Sequence, residues 1–156
     1  VILNAGFSIL QVDSLWDDYI IGCYFKKPQS INWDSFRDSR SRLAEDLAEL
    51  GELAHASEQK IFLWGAGHQS LFMLTHFDVA HLFAAVVDAS PQKSGKFARN
   101  IPLPIVEPAS LPTKENIIVL VCAGGFNEEI VSSLNDRQNI SQIFEVHHGR
   151  VRAARY

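Results

Sequence analysis

The chain has 156 residues, 14 Lys and Arg against 18 Asp and Glu, and a formal net charge of −4. That length fits one domain with a real core and a small appendage, and the acidic balance argues against broad binding of nucleic acid or an anionic membrane. Two cysteines, Cys23 and Cys122, cannot build a disulfide framework and point to a reducing cytoplasm, while no apolar run approaches the roughly 18 residues of a membrane span.

No signal peptide is visible, and the chain starts at Val1 in mid-pattern, as a piece of a longer polypeptide would. Gly6–Val12 and Tyr19–Phe25 are two β-rich runs separated by Asp13–Asp18. That spacing predicts an antiparallel pair with a six-residue loop. Lys26-Lys27-Pro28-Gln29-Ser30 then reads as a linker, because proline ends the pairing. Residues 1–30 thus form a β-ribbon and linker, and residues 31–156 a separate domain. A two-stranded ribbon is marginal alone, so it must dock on the rest of the chain or belong to a larger sheet.

The pattern over Asn32–Ala56 predicts the longest helix. Asn32 can cap it, and Asp34 sits in the first turn, where the helix dipole favours an acid. Phe36, Leu43, Leu47, Leu50 and Ala54 form one apolar stripe at three- and four-residue steps, interrupted by Arg40. Glu45, Asp46, Glu49 and Glu52 fall off the stripe. This helix reads as scaffold.

From Lys60 onward strands and helices alternate. Strands are expected near 60–64, 83–87, 104–106, 117–122 and 142–146. Helices are expected near 67–77 and 126–135, with one turn near 108–111. Such alternation predicts an α/β fold, a Rossmann-like doubly wound parallel sheet. Numbering those five strands in order, the expected arrangement is 3-2-1-4-5. Its crevice then lies at the carboxyl ends of strands 1 and 4.

Two glycine loops flank that crevice, Gly65-Ala66-Gly67-His68 and Ala123-Gly124-Gly125-Phe126-Asn127. In the first, Gly65 permits a tight turn and Gly67 serves the turn and lets backbone approach a ligand. Its third glycine is missing, with Ser70 in that place. Asp88, 23 residues beyond Gly65, stands where an acid would bind a ribose hydroxyl. The helix after the first loop has no acid in its first turn, whereas the second begins Asn127-Glu128-Glu129. A phosphate therefore belongs at Gly65–His68, and a dinucleotide with Asp88 would be NAD rather than NADP. The other reading is that Gly65 and Gly67 turn the chain while Asp88 caps the following turn.

Other chemistry is thin. The six histidines lack metal-ligand spacing. His68 alone among them falls in the predicted crevice, with no partner carboxylate. His147-His148 and the Arg150, Arg152, Arg155 tail read as an exposed, solvated terminus. No Gly-x-Ser-x-Gly elbow or phosphate loop ending Gly-Lys-Ser/Thr occurs, and no catalytic or metal-binding residue is assigned.

Three segments carry a family resemblance: Phe62–Gly67, Val86–Lys96 and Ile101–Pro108. The most specific element is Asp-x-x-Pro-x-Lys-x-Gly, Asp88 to Gly95. With the opening Asn4-Ala5-Gly6-Phe7, Val12 and Asp18-Tyr19, they resemble the C-terminal part of S-adenosylmethionine-dependent C-methyltransferases acting on nucleotide-linked deoxysugars. The resemblance implies that the methyl donor and the catalytic Tyr and His residues lie upstream, in a methyltransferase core of the same polypeptide. It further implies that this domain helps hold the nucleotide sugar, with Asp88 and Lys93 joining the two glycine loops and Asn127 as substrate-binding residues. His68 and Asn127 are the side chains expected to reach the acceptor. A donor loop reads acid-x-Gly-x-Gly-x-Gly; here Leu63 holds the acid position and Gln69 the third glycine, so no cofactor is expected on this chain. The alternatives are a stand-alone NAD- or sugar-nucleotide-binding module and a ligand-free scaffold.

Overall fold

The structure is a computed structural model and describes residues 8–15, 20–26, 33–97 and 101–154. The chain divides into two compact units, Val1–Arg42 and Leu43–Tyr156. In the first, β1 (Ser8–Leu15) and β2 (Ile20–Lys26) pair antiparallel, Ser8 opposite Lys26 and Leu15 opposite Ile20. The expected loop at Asp13–Asp18 is thus shorter than its polarity suggests. Asp13 and Ser14 pair with Gly22 and Ile21, because a ladder is built from backbone groups that polar residues supply equally well. Of the segment expected to be a linker, Lys26–Ser30, Lys26 instead ends β2 opposite Ser8; Lys27–Ser30, the cap Asn32 and the stretch Asn4–Phe7 lie outside the described residues.

Helix α1 (Trp33–Ala56) carries Asp34 in its first turn and His55 in its last, both complementing the helix dipole. Leu47, Leu50 and Ala54 of the expected stripe are buried, but Phe36 is 43% exposed. The buried part of the stripe begins at Leu43, where the helix enters the second unit. The helix ends in a Schellman motif: Gln59 N–H donates to Ala54 O (2.9 Å) and Glu58 N–H to His55 O (3.2 Å). Glu58 takes the left-handed position, φ 54°, that usually goes to glycine.

The second unit is built on a six-stranded sheet. Its strands are β3 (Lys60–Trp64), β4 (Phe83–Val87), β5 (Ile105–Val106), β6 (Ile117–Val121), β7 (Ile140–His147) and β8 (Arg150–Ala153). Their order across the sheet is β5-β4-β3-β6-β7-β8; pairing is parallel from β5 to β7 and antiparallel between β7 and β8. The central strands read as unbroken apolar runs because both faces are covered. Ile61, Leu63, Ile118 and Leu120 pack with Leu47, Leu50 and Met73, so α1 and α2 (His68–His76) share one apolar cluster. Phe62, Trp64, Val119 and Val121 pack with Val131 and Leu134 of α3 (Asn127–Leu134). The turn expected at 108–111 is a single 3-10 turn, Pro108–Ser110.

The end of the chain corrects the sequence reading. His147 and Arg150 pair across a two-residue turn, His148-Gly149, both at positive φ (48° and 73°). That is the hairpin geometry matching strand twist, so Arg150 and Arg152 of the expected tail stand, still exposed, in a sixth strand of this sheet, while Arg155 lies outside the described residues. Asp46, expected off the buried stripe, is 8% exposed. It accepts a bidentate pair from Arg150 (Nε 2.7 Å, Nη2 2.8 Å) and a bond from Val151 N–H (2.8 Å). The Asp46 carboxylate of α1, held by the Arg150 guanidinium and the Val151 amide, thereby locks β8 to the helix. Among the described residues, no helix is long and apolar enough to cross a membrane.

This lock sets an acid sensitivity. The Arg150 hydrogen bonds, with Val151 N–H, outweigh what burial adds and hold Asp46 below its ordinary 3.8. A carboxyl depressed in the folded state stabilises fully above its unfolded value, and that contribution is lost as pH falls through the folded value. Urea unfolding from about pH 7 to about pH 3 should therefore show falling stability below about pH 4. Asp46→Asn should be less stable at neutral pH and show a flatter acid limb. An unchanged acid limb would show that this carboxyl does not titrate as the contacts require.

Candidate functional site

Gly65 turns the chain at the carboxyl end of β3. Its φ is +108°, and a Cβ there would stand 3.0 Å from Cys122 O and 3.2 Å from Ala123 Cβ. The first glycine loop thus lies directly on the second, as adjacent strands β3 and β6 require. Gly67 behaves differently from the sequence reading. Its backbone is extended (φ −105°, ψ −175°) and a Cβ would meet open space, so the turn does not need a glycine there. Ser70, at the missing third glycine, is buried. Its single hydroxyl hydrogen is shared between Gly65 O and Cys122 O (2.8 Å for the latter), cross-linking the two loops. Burial pushes the neighbouring Cys122 thiol up to about 11, with the Ser70 hydroxyl pulling the other way; the thiol is held protonated and unreactive.

Asp88 is drawn into the first loop. Its Oδ2 accepts Ala66 N–H (2.8 Å) and Lys93 Nζ (2.9 Å), and its Oδ1 accepts Ser90 N–H (2.9 Å). Burial would raise this carboxyl, but Lys93 and the two amides outweigh it and hold it below its ordinary value. Asp88 therefore both caps the following turn and reaches back to the glycine loop, and Lys93 stands beside that loop because both groups share one oxygen. A ribose hydroxyl would have to compete with these donors.

Helix α2 starts at His68 with no side-chain cap and no acid in its first turn. The His68 side chain is exposed. Asn127, expected to project toward a ligand, instead turns inward and is 5% exposed. Its Oδ1 accepts Ala123 N–H (2.8 Å), and its Nδ2 donates to Val146 O (3.0 Å) and Glu145 Oε2 (3.3 Å). An amide offers both an acceptor and a donor, so this one residue closes the second loop and ties it to β7.

A cleft of about 470 Å³ opens on the other side of that loop, between α3 and the β7–β8 hairpin. Gly124, Gly125 and Asn127 border it; Gly65–His68, Asp88 and Lys93 do not. Glu145, which sequence reasoning passed over, and Arg152, which it read as part of a solvated tail, stand in its wall, joined at 2.9 Å. The alternation of Arg150 and Arg152 beyond a His-Gly turn was the signal for them. Among the described residues no group of His, Cys, Asp and Glu could hold a metal ion.

The model of a protein family described as the C-methyltransferase C-terminal domain matches residues 26–145. No curated protein matches the chain.

Proposed function

Because the chain belongs to the C-methyltransferase C-terminal domain family, we propose that it is the substrate-side module of an S-adenosylmethionine-dependent C-methyltransferase acting on a nucleotide-linked sugar. The family match over residues 26–145 carries this reading. A domain of that description works with a catalytic core in the same polypeptide, here taken to lie upstream and in the cytoplasm. In this reading the second unit is a Rossmann-like, doubly wound domain that holds the acceptor at the carboxyl ends of β3 and β6, with no catalytic residue of its own.

Two local features support that division of labour. Leu63, at the position a donor loop gives to an acid, is fully buried in the apolar core, where no carboxylate could reach a ligand. The start of α2 is open instead: Gly67 faces free space and His68 is exposed. An acceptor phosphate can approach backbone there, and binding energy from such a remote part of the substrate positions the reacting carbon in the core.

Calorimetric titration of this chain with S-adenosylmethionine should give no binding; micromolar affinity would place the donor site here and overturn the assignment. In the protein with its upstream core, His68→Ala should raise the acceptor KM roughly ten- to a hundredfold, the worth of one hydrogen bond to a charged group. Donor affinity should be unchanged. The ligand-free scaffold reading, favoured by the inward-turned Asn127 and the engaged Asp88, predicts wild-type kinetics instead.

A further inference from the structure

The face of the sheet under α3 changes character along its width. Beneath the middle of the helix it presents Phe62, Trp64, Val119 and Val121 to the core. Past the helix, on β7 and β8, the same side carries Glu145, His147 and Arg152 along the cleft of about 470 Å³. A face awaiting another helix would be apolar; this one is polar and preorganised. Glu145 is held through both oxygens, Oε1 by Arg152 Nε (3.0 Å) and Oε2 by Asn127 Nδ2 (3.3 Å). Opposite stand Glu128, Ser132 and Asn135, spaced i, i+4, i+7 along α3 and its C-terminal cap, so that they share one helical face. These three side chains have no hydrogen-bond partner among the described residues, although Val131 and Leu134 beside them are buried.

The geometry points to this cleft as a binding site for a polyhydroxylated ring without acidic groups. The volume suits one or two such rings and falls in the range of small-molecule sites. The two walls offer what hydroxyls need, acceptors (Glu128, Glu145) beside donors (Asn135, Arg152). Val131 and Ala154 supply an apolar patch for the C–H face of a ring. With His147 counted neutral, Glu128 and Glu145 against the charge of Arg152 leave the lining one negative charge in excess, which disfavours phosphate and carboxylate groups. The proposal does not rest on the methyltransferase reading, since Gly67 and His68 lie outside the cleft.

The test is a titration of isotope-labelled protein with methyl glycosides of glucose, galactose, mannose and glucosamine, and separately with inorganic phosphate. The side-chain amide of Asn135, the Nε–H of Arg152 and the amides of Gly124 and Gly125 are followed by NMR. At least one glycoside should shift all of these saturably at millimolar concentration, while phosphate leaves them in place. Asn135→Ala, an exposed change that spares the core, should weaken that glycoside about threefold to tenfold. Saturable shifts with phosphate, no saturable shift with any of the four glycosides, or an Asn135→Ala affinity equal to that of the unaltered protein would each overturn the assignment.

Discussion

Gly65→Val is expected to destabilise the second unit by about 3–5 kcal/mol. Two costs combine. A β-branched residue at φ +108° is held in a region that L side chains avoid, at about 1–3 kcal/mol. Its Cβ would also press on Cys122 O at 3.0 Å and Ala123 Cβ at 3.2 Å, which are backbone and a fixed methyl group rather than a flexible tip. Ser70 makes relief harder, because its hydroxyl binds both loops and resists their separation. Gly67→Val is the control and reverses the expectation drawn from the Gly-x-Gly pattern. With extended backbone and open space it should shift stability by no more than about 0.5–1 kcal/mol. Urea midpoints of the two variants decide the matter. Equal losses at both positions would show that the turn is built differently.

Asn127→Ala should cost about 2–4 kcal/mol, because it leaves the amide of Ala123 and the carbonyl of Val146 without their partners at a site that is 5% exposed. Asn127→Asp separates the two functions of the amide. Its oxygen can still accept from Ala123, but a carboxylate would face Val146 O and the Glu145 carboxylate where the amide donated. That variant should be destabilised at neutral pH and partly recover on mild acidification, as protonation restores a donor and removes the repulsion. A stable Asn127→Ala protein with a weakened acceptor KM would instead mean that this side chain serves a ligand.

Much of the fold was legible because parallel strands covered on both faces must be apolar throughout, and Ile61–Trp64, Phe83–Val87 and Ile117–Cys122 could be read as such. The length of β1 was less legible, since Asp13 and Ser14 enter a ladder through backbone alone. The β7–β8 hairpin was missed although His148-Gly149 stood between alternating residues, because two histidines and three arginines at a chain end look like a solvated tail. What holds that strand is Asp46, 104 residues before Arg150, and no local pattern relates positions so far apart.

The candidate site divides along the same line. Sequence alone determined where the chain must turn, at Gly65 and Gly124, and that both turns follow strands and open helices. Those features depend on local backbone preferences, which neighbouring residue types disclose. Tertiary structure decided what each polar side chain does once there: Asp88 spent on Ala66, Ser90 and Lys93, Asn127 turned into the protein, Ser70 bridging two loops, and Glu145 with Arg152 facing a cleft. A buried hydrogen-bonding group takes whichever partner the fold brings within about 3 Å, and that partner is set by the packing of distant segments rather than by the residue's own sequence context.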